Sequence, residues 1–354
     1  MSRFLSPRLQ AMDPYVPGEQ PRNRQYLKLN TNESPYPPSP LVLEAVSRAE
    51  VRSLRLYSDP ECRALVQAAA DYYGLRPGQV AVGNGSDELL AFAFSAFGGD
   101  GAAYPAVSYG FYPVFARMAG VEGREIPLRE GFRLDPRDYM GCGRMVVIAN
   151  PNAPTGLALT PEEIEPMLRS NPDHVVVVDE AYVDFGAQSC VPLLERYDNL
   201  LVVQTCSKSR CLAGARVGFA LGSPELIADL NRLKFSFNPY NVNRLSLAAG
   251  AAALADRAYF QDCTRRIAAT RQQTARALEE LGFQVIPSLA NFLFVRPAGL
   301  SGAAYFQALR ERGVLIRRWD KPEIADFVRV TIGSEAEMEA FLTITKEVCG
   351  HADQ

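Results

Sequence analysis

Four valines in a row, Val175 to Val178, closed by Asp179, constrain the fold of this chain more than any other feature. A strand with one face in water alternates apolar and polar residues, so an unbroken β-branched run calls for cover on both faces. MVVIA at 145–149 and LLVVQ at 200–204 have the same character, and 79–83 (QVAVG), 101–104 and 217–221 (VGFAL) extend the series. Helix-length amphipathic segments lie between these runs, at 61–73, 86–97, 108–119, 161–169 and 224–234. Strands alternating with helices predict an α/β architecture around a mainly parallel sheet.

Beyond about residue 240 the pattern changes. An Ala/Arg/Gln-rich stretch at 243–281 reads as one or two helices. Strand-like FQVIP and NFLFVRP follow, then a helix at 302–312, strands VLIRR and FVRVTIG, and a closing helix near 335–348. This predicts a smaller α+β domain. At 354 residues the chain has room for two domains. The expected division is an arm at 1–30 that belongs with the smaller domain, a large domain at 31–245, and a small one at 246–354 joined by a long helix.

Composition removes several classes of function. The net charge of −3 and the scattered basic residues give no electrostatic reason to expect nucleic acid or a membrane surface as partner. The seven cysteines form no C-x-x-C pair and are odd in number, which predicts reduced thiols and a cytoplasmic setting. The N-terminal sequence has no apolar core of a signal peptide, and no apolar run approaches 18 residues, so neither export nor a membrane span is expected. Only two histidines are present, His174 in the loop NPDH and His351 near the end of the sequence. A Ser-His-Asp triad or a multi-histidine metal site has almost nothing to be built from.

The chemistry is concentrated in TCSKSRCLAGARVGF, residues 205–219. Lys208 follows the apolar run LLVVQ, which places it at a strand's carboxyl end, where open α/β sheets bind ligands. Arg216 comes eight residues later, after small residues that let backbone pass close to a bound group. Asp179 ends a strand that reads as buried, and a carboxylate there is costly unless it meets a cation; an Asp capping the next helix is the plainer alternative. GNGSDELL (83–90) puts Gly85 and Ser86 at a helix start, with Asp87 in the first turn. Free N–H groups there suit a phosphate, although such a sequence is more often an ordinary N-cap.

Together these segments resemble the fold-type I aminotransferases that depend on pyridoxal 5′-phosphate (PLP), essentially from end to end. Within that superfamily the chain resembles the histidinol-phosphate aminotransferases, through PYVPG (14–18), KLNTNESPYPPSP (28–40), LYSDP (56–60), NPNAPTG (150–156), DEAYVDF (179–185), the lysine–arginine loop, FNPYNVNRLS (237–246) and FVRVTIG (327–333). The resemblance implies a large domain with a mainly parallel seven-stranded sheet and a smaller α+β domain. It implies that Lys208 attaches PLP and later moves the substrate proton, that Asp179 pairs with the pyridinium nitrogen, and that Tyr182 donates to the cofactor's 3′-oxygen. Tyr109 is expected to stack on the ring, while Gly85, Ser86, Asp87, Ser207 and Arg216 surround the phosphate, joined by Tyr57 from a second subunit of a homodimer. The turn departs from the family where an Asn usually precedes Pro-Thr-Gly: Ala153 stands there, and Asn152 is the candidate replacement. Arg329 and Arg317 are expected to bind substrate anions, with Tyr15 and Asn32 lining their pocket; Arg318 and Trp319 read as structural or solvated.

The implied reaction passes an amino group between a small-molecule donor and a keto acceptor, glutamate/2-oxoglutarate on one side and histidinol phosphate/imidazole acetol phosphate on the other. An aromatic amino-acid aminotransferase and a PLP decarboxylase of a phosphorylated amino acid keep the same cofactor. A PLP-fold regulator without turnover is disfavoured by the presence of Lys208 and the absence of an appended DNA-binding segment. A nicotinamide dehydrogenase is disfavoured because no G-x-G-x-x-G opens a helix after the first strand.

Overall fold

The computed structural model describes residues 13–21 and 24–350; His351 and the first twelve residues of the expected arm lie outside them. After a two-residue strand β1 (Leu27–Lys28), the chain lays down β2 (Val80–Asn84), β3 (Ala102–Pro105), β4 (Gly123–Ile126), β5 (Met145–Ala149), β6 (Val176–Asp179), β7 (Leu200–Thr205) and β8 (Val217–Gly222). Strands β2 to β8 form one seven-stranded sheet in the order β2-β8-β7-β6-β5-β3-β4. Only β8 is antiparallel to its neighbours, β7 and β2; every other pairing is parallel.

The unbroken apolar runs have a direct structural reason. Val146, Val178 and Val202 enter one apolar layer, while Val147, Val177 and Val203 enter the layer on the opposite face, and all six are fully buried. Burying such a side chain stabilises the fold by roughly 1.5–3 kcal/mol, so a charge on either face of these strands is excluded. Helices Arg63–Tyr73, Pro161–Ser170 and Arg244–Ala255 cover the first layer through Leu65, Ile164, Met167 and Leu247. Helices Ser86–Phe97, Tyr112–Ala119 and Pro224–Phe237 cover the second through Leu90, Phe94, Phe115 and Leu230.

Strand β4, sequence GREI, was not expected from the sequence. It is an edge strand whose first three residues are exposed, so it carries no apolar run. The helix expected at 108–119 begins at Tyr112, which leaves Ser108–Phe111 as a loop at the sheet's edge. The 243–281 stretch is two helices, Arg244–Ala255 and Arg257–Glu280, parted at Asp256, whose side chain caps the second by accepting from the Tyr259 N–H at 3.3 Å.

A second, four-stranded antiparallel sheet follows, built from β9 (Gln284–Ile286), β10 (Phe292–Arg296), β12 (Arg317–Arg318) and β13 (Val328–Thr331) in the order β12-β13-β10-β9. Strand β11 (Val314–Leu315) pairs in parallel with β1. The Thr331 N–H then donates to the Leu29 carbonyl at 2.9 Å, which carries Asn30–Asn32 to the space between the two sheets.

Candidate active site

Every parallel strand of the large sheet ends on one edge, and β8, running the other way, begins there. That geometry brings Asp179 (end of β6), Thr205 (end of β7), Lys208 (after β7), Ser86 (after β2) and Arg216 (before β8) to one place. They line a cavity of about 180 Å³ closed on the far side by Tyr15, Asn32, Arg317 and Arg329. Asp87, Tyr109, Tyr182 and Ser207 also line it. Among the described residues no group of three or more His, Cys, Asp or Glu is placed to hold a metal ion.

Lys208 is half-buried, and its Nζ donates to the Thr31 carbonyl at 3.1 Å. Burial and then the positive charge of Arg329 push its amine down to about 8, against the pull of Glu33 and Asp87. A lysine there loses its proton far more readily than one on the surface. Asp179 is buried and is pushed up to about 6 by burial. Two donors oppose that shift: Tyr112 Oη at 2.9 Å and the Ala181 N–H at 3.2 Å. Its acceptor capacity toward the cavity awaits a cation. Tyr182 is buried, and its hydroxyl accepts from Asn32 Nδ2 at 3.0 Å, leaving its own proton to donate.

Arg216 and the start of helix Ser86–Phe97 form a cradle. Gly85 has φ +78°, and a Cβ on it would lie 2.5 Å from Arg216 Nη2. A Cβ on Gly218 would lie 2.4 Å from the Ser86 nitrogen. Only glycine allows the guanidinium and the helix-start N–H groups to converge this closely, a geometry suited to a phosphate. Arg216 is itself left-handed at φ +53°, a conformation that costs a non-glycine residue about 1–2 kcal/mol. Its Nη2 donates to Asp87 Oδ2 at 2.9 Å, and Asp87 Oδ1 accepts from Tyr109 Oη at 2.7 Å.

Two arginines stand opposite. Arg329 on β13 is half-buried; its Nη2 donates to the Asn30 carbonyl at 3.1 Å and its Nε has no hydrogen-bond partner among the described residues. Burial lowers its affinity for its proton, with Tyr182 and Tyr15 opposing. Arg317 on β12 holds the arm through the carbonyls of Val16 (2.6 Å) and Pro17 (3.0 Å). Tyr15 stacks on Phe111 with ring centroids 4.1 Å apart.

Three expected residues are not among those that line the cavity of this chain: Gly85, which sits against Arg216 at the helix start, Asn152 and Tyr57. Asn152 is buried behind the wall: its Nδ2 donates to the Val107 carbonyl (3.1 Å) and Thr155 Oγ1 (3.0 Å), and its Oδ1 accepts from Ser108 Oγ (2.7 Å). Ala153 occupies the wall instead. Tyr57 is 79% exposed and stacks on Tyr240 with centroids 4.4 Å apart. Sequence reasoning passed over Tyr112 and Trp319, and took Trp319 as structural or solvated. Trp319, just past the end of β12, lines the cavity with its ring beside the guanidiniums of Arg317 and Arg329. Arg318, between Arg317 and Trp319, turns away to the Ala325 carbonyl and Asp320.

Residues 24–344 match the aminotransferase class I and II family. The chain is 50% identical over 350 residues to histidinol-phosphate aminotransferase 1 of Bradyrhizobium diazoefficiens, covering 98% of this chain and 100% of that one. It is 48% identical over 350 residues to a histidinol-phosphate aminotransferase of Acinetobacter baumannii, covering 98% and 97%. The fold matches the crystal structure of histidinol-phosphate aminotransferase from Sinorhizobium meliloti in complex with pyridoxal-5′-phosphate at a TM-score of 0.88, with 26% identity and 99% of each chain covered.

Proposed function

The chain belongs to the class I and II aminotransferases, and from that premise we propose that it moves an amino group between glutamate/2-oxoglutarate and histidinol phosphate/imidazole acetol phosphate, with PLP as cofactor. The observation that carries the substrate is the pair of guanidiniums, Arg317 and Arg329, on the wall opposite Lys208. A phosphate on an amino alcohol takes the place there that a carboxylate of glutamate takes in the other half-reaction.

The residues fit PLP on two structural grounds. The Gly85–Arg216–Gly218 cradle is closed to any Cβ and open to an anion. The buried Asp179 carboxylate faces the cavity and lacks a cation of its own. Ser86, Ser207 and Arg216 would hold the phosphate, Asp179 the pyridine nitrogen, Tyr182 the ring oxygen and Tyr109 the ring face, while Lys208 Nζ would attach the cofactor. When bound, PLP supplies the sink for the electron pair left on the substrate carbon as its proton departs.

The chain's own contributions follow from the electrostatics. Lys208 Nζ, whose pKa is depressed from 10.5 to about 8, would give up its proton far more readily than a surface lysine and, once neutral, would take the substrate proton and return it. Asp179, held by Tyr112, keeps a negative charge where a protonated ring nitrogen needs one. Arg329, lodged at the inner end of the anion wall, orients the substrate's anion so that its amine points to Lys208.

We read the active form as a cytoplasmic homodimer. Large apolar side chains are exposed in two segments, Leu43, Leu54, Leu56 and Tyr57 in one and Phe235, Phe237 and Tyr240 in the other, and the Tyr57–Tyr240 stack joins them. An apolar patch of this kind marks an interface. All seven cysteines are free, and no helix among the described residues is long and apolar enough to cross a membrane. The test of the proposed reaction is turnover of histidinol phosphate with 2-oxoglutarate, followed through the cofactor's visible absorption. Faster turnover of an aromatic amino acid, or release of carbon dioxide from a phosphorylated one, would replace the proposal with that activity.

A further inference from the structure

We propose that Trp319 is a positioning residue of the anion wall, holding both guanidiniums, Arg317 and Arg329, in register for the phosphate or carboxylate of the substrate. The inference rests on the aminotransferase reading of this cavity and names the residue that sets its preference for anionic donors.

The geometry begins with a conflict. Arg317 and Arg329 are direct cross-strand partners on β12 and β13. Two like charges facing each other across an antiparallel pair repel, and without an anion between them they are driven to swing apart. Trp319, the first residue after β12, answers this from beside the pair. Its ring lies 5.6 Å from the Arg317 Cζ and 5.3 Å from the Arg329 Cζ, within range of cation–π attraction to both. Arg329 also has the Phe292 ring at 5.3 Å. The Arg329 guanidinium therefore has two aromatic rings beside it, one hydrogen bond to the Asn30 carbonyl, and an Nε without a hydrogen-bond partner among the described residues. Arg317 is fixed between Trp319 and the carbonyls of Val16 and Pro17. The indole is half-buried against the apolar cluster of Ile324 and Phe327, which fixes the ring itself.

A residue that holds arginines and a residue that merely fills space predict different kinetics. The comparison uses histidinol phosphate and histidinol, which carry the same imidazole and amine and differ only in the anion. In the holoenzyme, Trp319→Ala should raise KM for histidinol phosphate about tenfold, with kcat, the cofactor's absorption band and the kinetics with histidinol little changed. Trp319→Phe, which keeps an aromatic face, should recover most of the loss. Inorganic phosphate supplies a binding readout independent of turnover: its dissociation constant should rise in Trp319→Ala in parallel with KM. Because Trp319 is the only tryptophan of the chain, phosphate binding to the wild type should also change the intrinsic tryptophan emission, and Arg329→Ala should abolish that response. Equal losses for histidinol and histidinol phosphate, or unchanged phosphate binding in Trp319→Ala, would overturn the assignment. If Trp319→Ala does not fold, the Phe variant and the emission response of the wild type decide the matter. Should the wild type fail to use histidinol phosphate at all, the substrate reading falls while phosphate binding still judges Trp319.

Discussion

Arg317 and Arg329 face each other directly across the β12–β13 pair, both on the wall of the cavity that contains Lys208. Opposed like charges at this position weaken the sheet, and the proposed binding of a substrate anion would account for their presence. A surface ion pair contributes only about 0–1 kcal/mol, whereas truncating a group that grips a desolvated anion costs roughly 2–5 kcal/mol. Arg329→Ala should therefore lower kcat/KM for both glutamate and histidinol phosphate by about 10² or more, with PLP binding near normal because the phosphate cradle is elsewhere. Arg317→Ala should penalise glutamate and histidinol phosphate more than a neutral aromatic amino acid. Steady-state kinetics with the three donors check both expectations, and equal losses across donors would remove the division of labour.

The amine of Lys208 has the second consequence. With its pKa pushed down from 10.5 to about 8, most of it is charged at pH 7 in the cofactor-free protein and neutral above pH 9. Only the neutral amine attacks a carbonyl, so capture of added PLP, read as growth of the visible band, should accelerate as pH rises and level off above about 9. Lys208→Ala should retain PLP weakly through the Ser86–Arg216 cradle, yet show neither the band nor transamination. A Lys208→Ala protein with normal turnover would end the proposal.

Tyr57 supplies the third. Its exposed ring, stacked on Tyr240 at the chain's surface, reaches no part of its own cavity. If it completes the phosphate site of a second copy, inactive Tyr57→Ala and inactive Lys208→Ala subunits should regain activity when mixed, because one cavity per hybrid is intact. About a quarter of the wild-type rate is the ceiling expected from random pairing with one good site of two. Sedimentation of the wild type as a fully active monomer would contradict the shared site.

What could be read from the sequence followed from how each signal is carried. Val175–Val178 and MVVIA announced a doubly covered sheet because burial on both faces removes polar residues from the strand itself. The edge strand Gly123–Ile126 gave no such signal, since three of its four residues are exposed. Lys208, Asp179 and Arg216 stood out because they follow or precede those apolar runs and so reach one edge of the sheet. Trp319 lies just past the two-residue strand that carries Arg317, and no strand period reaches it from which its place in the cavity could be read. Tyr112 lies in an aromatic stretch beside Phe111 and Phe115, which pack, and only the fold shows its hydroxyl on Asp179. The choice between Asn152 and Ala153 depends on the path of the turn, which places the Asn amide against Val107 and Thr155 and leaves alanine at the wall.

Asp179 makes a stability prediction whose sign is fixed by its environment. Burial raises its carboxyl from the ordinary 3.8 to about 6, so between those values the folded protein holds a proton that the unfolded chain has released. The stability contributed by this group is fully present below pH 3.8 and is lost as pH rises through 6. In the cofactor-free protein, Asp179→Asn should thus be more stable than the wild type at pH 7 by about 1–3 kcal/mol, and the advantage should vanish toward pH 4. Adding PLP should reverse the order, because the wild-type carboxylate then gains its cation while the neutral amide of the variant has no charge to pair with it, and the variant should be nearly inactive. Tyr112→Phe removes a donor that holds the carboxyl down, so its cofactor-free form should lose about 1.5–3 kcal/mol above pH 6 relative to the wild type and little at pH 4. Urea unfolding at a series of pH values, with and without PLP, measures all three proteins. A difference between wild type and Asp179→Asn that stays constant from pH 4 to pH 8 would show that Asp179 does not titrate as a buried, unpaired carboxyl.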